Sequence, residues 1–399
     1  MSAAQAGRPG STTSSNDPSG KAAGALLRGL RISSSVSDGA IRLEVADVVV
    51  RSPKPGQVVV RMEAAPINPS DLMTMLGPAD LANAEFDDTA RYPNVRIPVP
   101  GSARAALVAR GAAALPVGQE GAGTVIMTAP DCADWRGRRV ALMPRTGGTF
   151  GQYLTVSAGE CVAVPDHIEA THAAALMVNP LTALAMVETV VRKGHRALIN
   201  TAAASSLGQM LVKLCRQDNI ALVNIVRREE HVRTLQALGA EYVCNSANRT
   251  FSEALVAAVA ATGATAAFDA IGGGTMSADL LVAMEYAAAA RMTHPTPYGS
   301  VEPKHVYIYG HLDPGPTLVH ATGNGMLWGI SGWTMAHALA RLTPQRNAEL
   351  RQRIIAESDT TFATTYARTV PLTQALTREA MLGYCRQATA GKYLISCQS

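Results

Sequence analysis

The sequence lacks the marks of several protein classes. Aromatic residues are only 5% of 399 positions, and the 35 basic residues are scattered against 31 acidic ones. Nucleic-acid binding would call for clustered Lys and Arg interleaved with aromatics, so that class is set aside. No apolar run approaches the roughly 18 residues of a membrane span. The six cysteines, Cys132, Cys161, Cys215, Cys244, Cys385 and Cys397, form no C-x-x-C or C-x-x-H pair. Dispersed single cysteines fit a reducing compartment without a disulfide framework.

What is present is core-forming material, with 47% hydrophobic and 17% charged residues. At about 150 residues per domain the length suggests two or three domains. Residues 1–24 are small, polar and rich in Pro and Gly, and read as a disordered tail. A cytoplasmic protein is expected, with organelle targeting by that tail as the alternative.

Residues 25–175 read as a β-rich domain, completed by about 336–399. "GQVVVRMEA", "GAGTVIMTA", "RRVALMPR" and "GQYLTV" are short runs rich in strand formers and bounded by turn residues. Residues 77–118 interrupt the pattern and read as an excursion over the surface or a cleft. Over 176–335, short apolar strands alternate with helices, which predicts a doubly wound parallel sheet. Within "THAAALMVNPLTALAMVETVVRKG" the second helix is predicted to begin after Pro180. The chain closes on "GKYLIS", a strand able to return to the first domain.

The stretch "RALINTAAASSLGQM" runs from strand through a small-residue turn into a helix, as a dinucleotide-binding unit begins. It holds one glycine, Gly208, placed where close helix–strand packing needs it. Ser205 and Ser206 stand at the helix start, where exposed N–H groups favour phosphate; plain capping by Ser205 is the competing role. The next strand ends in Arg227 and Arg228, where a non-phosphorylated dinucleotide would call for an acid. Arginine there suits a 2′-phosphate, and Arg227 is the better candidate; a solvated face shared with Glu229 and Glu230 is the alternative. "DAIGGG" with Gly272, and "YGHLDPG" with Tyr309 and Gly310, are loops beyond strand ends that fit either cofactor contacts or plain turns. In the β-rich region, "AAPINPSDL" carries Asn68 and Asp71, "VGQEGAG" carries Glu120, and "NPLTA" carries Asn179 and Thr182. Pro and Gly fix such loops and can hold polar groups rigidly at a cleft.

The order of these motifs, with "GTFGQYLTV", "LGAEYV" and "GKYLI", resembles the medium-chain dehydrogenase/reductase superfamily over roughly residues 25–399. The likeness is strongest to its zinc-free branch, the quinone oxidoreductases and NADPH-dependent 2-enoyl thioester reductases. It implies a GroES-like β-rich catalytic domain joined to a Rossmann NADPH-binding domain, an α/β fold. It implies NADPH contacts from Asn179, Ser205, Ser206, Leu207, Gly208, Arg227, Arg228, Gly272, Tyr309 and Gly310. Asn68 and Thr182 are expected beside the nicotinamide, with Asn68 as the donor to a developing oxyanion. Zinc-dependent relatives need Cys where Asn68 stands and His where Gln119 stands, so no zinc is expected.

One departure concerns the tyrosine proton donor that enoyl thioester reductases carry shortly after "NPSD". Ala79 stands near that position, and the next tyrosine is Tyr92. Tyr92 is therefore either a displaced donor or a loop residue packed beside Pro93. The implied activity is reduction of a quinone or an activated C=C bond, on a small-molecule substrate, with a homodimer as the expected assembly. A non-catalytic NADPH-binding sensor or structural protein on the same fold is the alternative.

Overall fold

The computed structural model describes residues 27–77, 79–101, 105, 111, 113–386 and 391–399; the N-terminal tail lies outside them. In chain order the strands are β1 (Arg28–Ser37), β2 (Ala40–Val49), β3 (Gln57–Pro66), β4 (Glu85–Asp87) and β5 (Asn94–Pro98). They continue as β6 (Gly121–Thr128), β7 (Arg139–Leu142), β8 (Tyr153–Ser157) and β9 (Cys161–Ala163). Helix α1 (Pro69–Leu76) follows β3, and α2 (Val178–Arg192) opens the second half. There β10 (Ala197–Asn200), α3 (Ser206–Gln217), β11 (Ala221–Val226), α4 (Glu229–Ala237), β12 (Tyr242–Asn245) and α5 (Phe251–Thr262) alternate. They lead to β13 (Ala266–Asp269), α6 (Met276–Ala289), β14 (Lys304–Ile308) and β15 (Trp328–Gly332), and β16 (Arg368–Pro371) and β17 (Tyr393–Ser396) close the chain.

β1 and β2 form a hairpin whose two loop residues, Asp38 and Gly39, have φ of 51° and 67°. Positive φ at both positions gives the turn a twist that matches the strands, and an Asp-Gly pair supplies it. The excursion of 77–118 is in part an extension of this sheet. β4 and β5 add to the edge of β2, giving the order β4-β5-β2-β1, and Leu115–Pro116 pairs with the far side of β1. Much of the Ala-rich stretch between 102 and 112 lies outside the described residues.

A second sheet runs β9-β7-β6-β3-β17-β16, with β8 also on β3. The carboxyl-terminal β17 is antiparallel to β3, with Leu394 opposite Pro66, so the last segment returns to the first half. The β10–β15 sheet is parallel in the order β12-β11-β10-β13-β14-β15. This is the doubly wound arrangement, and its order reverses between β10 and β13, where such sheets open a crevice. The mixed α/β class is as the sequence implied. α2 begins at Val178, earlier than the sequence indicated, because Pro180 falls in the first turn, where its missing N–H costs no helical bond.

The two halves share a core in which Ala64, Ala122 and Ala141 of the β-rich half pack with Leu176, Leu181 and Leu184 around α2. At the amino end of β14 an ion pair is sealed in: Lys304 Nζ lies 2.7 Å from Glu285 Oε2, with side chains 0% and 9% exposed. Ser300 donates to the same carboxylate through its N–H and its hydroxyl. Removing one partner of such a pair strands the other, so Lys304→Met is expected to cost about 3–5 kcal/mol in urea unfolding. A loss below about 1 kcal/mol, the scale of an exposed pair, would contradict the sealed geometry.

Candidate functional site

The glycine-poor turn after β10 keeps the tight geometry that glycine normally supplies. Ala202 adopts φ +50°, a left-handed conformation that a Cβ disfavours. Gly208 sits so close to the turn that a Cβ there would overlap the Ala203 carbonyl. Ser205 caps α3, its Oγ accepting from Gly208 N at 3.2 Å, and Gln209 Nε2 donates to Ala204 O at 2.8 Å. Capping is therefore a role Ser205 does fill. Leu207 buries its side chain and can offer a ligand only its backbone N–H, while Ser206 is half-buried at the helix mouth. First-turn amides have no intrahelical acceptor, so this mouth attracts anions.

Because the sheet is parallel, Thr201, Arg227, Ala270 and Tyr309 all lie just beyond carboxyl ends of adjacent strands. Arg227 is exposed and makes no hydrogen bond or ion pair among the described residues, whereas Arg228 pairs with Glu230 at 3.2 Å. Asp269, buried at the end of β13, accepts from Thr201 Oγ1, Ser277 Oγ and the N–H of Ile271 at 2.9–3.0 Å. It pins the loop carrying Gly272, where a Cβ would meet the Gly310 carbonyl; a Cβ on Gly310 would in turn meet the Ala270 backbone. These glycines thus serve loop-against-loop packing, whatever else they line. Tyr309 OH donates to Asn200 Oδ1 at 3.4 Å, and burial, with Asp269 adding, raises its phenol above the ordinary range. Asn200 Nδ2 is buried with no partner, an unused donor at the head of the crevice.

Across the crevice Asn68 precedes α1 and is 2% exposed. Its Nδ2 donates to Glu120 Oε1 at 2.9 Å, and its backbone N–H donates to Asp71 Oδ2 at 2.8 Å. Glu120, also buried, accepts on Oε2 from the N–H groups of Met177 (3.0 Å) and Val178 (2.8 Å). Lys392 Nζ stands 3.7 Å from Glu120 Oε1. Burial lowers the Lys392 ammonium's pKa, opposed by Glu120 and Asp71. Asp71 is pushed up to about 7, chiefly by burial, with the Asn68 N–H opposing and Glu120 adding. Thr182, one turn along α2 and half-buried, donates to Val178 O at 2.6 Å, and its Oγ1 lies 3.5 Å from Met335 Sδ. Asn179, also half-buried, is in the same first turn.

Asn68, Asn179 and Thr182 are thus gathered through Glu120 and the start of α2. Tyr92 belongs elsewhere: it lines a surface hollow of about 260 Å³ with Arg42, Val45 and Arg96, and Arg91 lies over its ring at 5.0 Å. None of the three gathered residues lines that hollow. Lys392 was missed in the sequence, where "GKYLI" reads only as a strand; a lysine leading an apolar terminal strand was the available signal. Nothing in the sequence signals that the Met177 and Val178 amides would serve as donors. Among the described residues no three His, Cys, Asp or Glu side chains converge as a metal site.

Residues 54–166 match the alcohol dehydrogenase GroES-like domain family. The mitochondrial enoyl-[acyl-carrier-protein] reductase of Arabidopsis thaliana is 30% identical over 200 residues, 48% of this chain and 45% of that protein. The chain therefore matches less than half of that relative's length. A putative NADPH:quinone reductase from Mesorhizobium loti superposes with a TM-score of 0.69 at 22% identity, covering 92% of this chain and 98% of that one. The mitochondrial 2-enoyl thioester reductase heterodimer of Candida tropicalis gives 0.65 at 17%, covering 93% and 100%. These matches agree with the resemblance of the sequence to the medium-chain dehydrogenase/reductase superfamily.

Two tests of this geometry need no ligand. Ala202→Gly is expected to stabilise the chain by about 0.5–1 kcal/mol, the relief of left-handed strain less the added chain entropy of glycine. Gly208→Ala is expected to cost about 1–3 kcal/mol by overpacking. Thermal unfolding checks both, and a destabilising Ala202→Gly would contradict the strained turn. Asp71 gives a pH test. The unfolded carboxyl releases its proton near 3.8 and the folded one near 7, so the folded state holds more protons between them. Its contribution to stability therefore falls as pH rises through that window. Asp71→Asn is expected to show a shallower fall in Tm from pH 4 to 7 than the wild type, and an unchanged slope would contradict the assignment.

Proposed function

We propose that this chain is an NADPH-dependent, zinc-independent reductase of quinones or of C=C bonds conjugated to a carbonyl. The observation that carries the reading is the unpaired guanidinium of Arg227 at the end of β11, beside an anion-attracting helix mouth. The names of the compared proteins support the same class. The residues present suit a dinucleotide: free first-turn amides, a close-packed Gly208, the unused Asn200 donor and an arginine for a 2′-phosphate.

Bound NADPH would supply a hydride, and the chain would supply position and charge. The amides of Ser206 and Leu207 would hold the pyrophosphate, beside the Ser205 cap. Arg227 would take the 2′-phosphate, with Arg228 kept nearby by Glu230. Gly272, Tyr309 and Gly310 would border the cofactor's path across the crevice. Thr182 already donates to Val178 O, so its lone pairs remain to accept a carboxamide N–H, with Asn179 alongside. Asn68 spends one N–H on Glu120 and keeps a second for an oxyanion developing on the substrate. Without Cys at 68 or His at 119, no zinc is needed to polarise the substrate.

The proposed assembly is a homodimer. β15 is an edge strand of the parallel sheet, and Met326, Leu327 and Trp328 at its start are exposed, as are Leu312 and Leu318 earlier in the chain. An uncovered edge bordered by apolar side chains favours pairing with a second copy.

Arg227→Ala is expected to weaken NADPH by about 1.5–3 kcal/mol, the loss of a charge-assisted hydrogen bond, and to leave NADH nearly unchanged. Fluorescence titration of each nicotinamide checks this. An equal loss for both cofactors would reject Arg227 as the phosphate site.

A further inference from the structure

Glu120 contacts neither cofactor nor substrate in the proposed reaction, yet its carboxylate touches three separate segments. Oε1 receives the Asn68 side-chain amide and faces Lys392, while Oε2 receives the first amides at the start of α2. The group is fully buried, so these partners replace water. A carboxylate can only accept, and this constrains Asn68: the amide must turn its Nδ2 toward Glu120. Asn68 Oδ1 turns toward the Asp71 N–H in a capping box, without closing a hydrogen bond of full geometry. Oε2 meanwhile holds the turn of α2 that carries Asn179 and Thr182.

We propose that Glu120 is a positioning residue, which fixes the polarity of the Asn68 amide and clamps that amide to the amino end of α2. The inference rests on the reductase reading for its kinetic arm and on geometry alone for its clamp. It gives the acidic residue of "GQEGAG" a task distinct from metal binding. Asn68 would present its remaining N–H from a fixed point relative to Thr182. Lys392, 3.7 Å from Glu120 Oε1, places a positive charge beside the buried carboxylate.

Glu120→Gln and Glu120→Ala separate the two halves of this role. Gln retains an oxygen for the Met177 and Val178 amides but presents an NH₂ to Asn68, forcing its amide to reverse. Hydrogen exchange at Met177 and Val178, read on the cofactor-free chain, is expected to rise roughly tenfold in Glu120→Ala and to stay near wild type in Glu120→Gln. With a quinone acceptor, Glu120→Gln is expected to lower kcat by about 10²-fold, the scale of a misplaced group, with NADPH affinity held within about threefold. Asn68→Asp combined with Glu120→Gln restores complementary pairing but removes the donor. It is expected to recover Tm without recovering kcat. A Glu120→Gln variant whose kcat stays within about twofold of wild type would overturn the positioning role, because the reversed Asn68 amide would then cost nothing. Unchanged exchange in Glu120→Ala would overturn the clamp. If the wild type oxidises no NADPH with any acceptor, the reductase reading falls alone, and the exchange measurement still decides the clamp.

Discussion

The contact between the Glu120 carboxylate and the first amides of α2 is the constraint on which the site's geometry depends. The β-rich half supplies Asn68, the doubly wound half supplies Thr182 and the anion-attracting turn, and the two must meet at fixed spacing. Packing of Ala64, Ala122 and Ala141 against the apolar residues around α2 brings the halves together but is not directional. A buried carboxylate with several donors is directional, and it is costly to leave unpaired. β17 contributes to the same point from the far end of the chain. Its pairing with β3 brings the last segment, with Lys392, back to Glu120.

The other half of the site holds a different kind of strain. A dinucleotide turn usually relies on glycine for left-handed backbone, and here Ala202 adopts it at some cost. The one glycine kept, Gly208, is the one for which no side chain could substitute, since the Ala203 carbonyl occupies the space. A turn with few glycines is thus still a close-packed strand–helix corner with an open helix mouth. Packing onto the strand, rather than flexibility, is what the remaining glycine serves.

The strand–helix alternation after residue 171 was legible because short apolar strands and capped helices announce themselves locally, and the α/β class followed from it. The Asp38-Gly39 hairpin carried an equally plain local signal. Ser205, Gly208 and Arg227 could be picked out because each sits at a fixed offset from a strand end. What could not be read was anything set by contacts across long sequence distances. Glu120 meets Met177 and Val178 some 57 residues away, and Lys392 lies farther still. The pairing within 77–118 was hidden because β4, β5 and Leu115–Pro116 are each too short to show a clear periodicity. Tyr92 drew attention through its chemistry, but its neighbours are residues of β2 and β5.

The proposed reading is hydride transfer from NADPH through position and hydrogen bonding, in a site without Cys at 68 or His at 119. Its most direct test is NADPH oxidation by chelator-treated, metal-free protein against a panel of quinones and enones, followed by loss of nicotinamide absorbance. Turnover with at least one acceptor is expected, undiminished by chelation and unaffected by added zinc. NADPH binding without turnover of any acceptor, or activity that returns only with zinc, would contradict it.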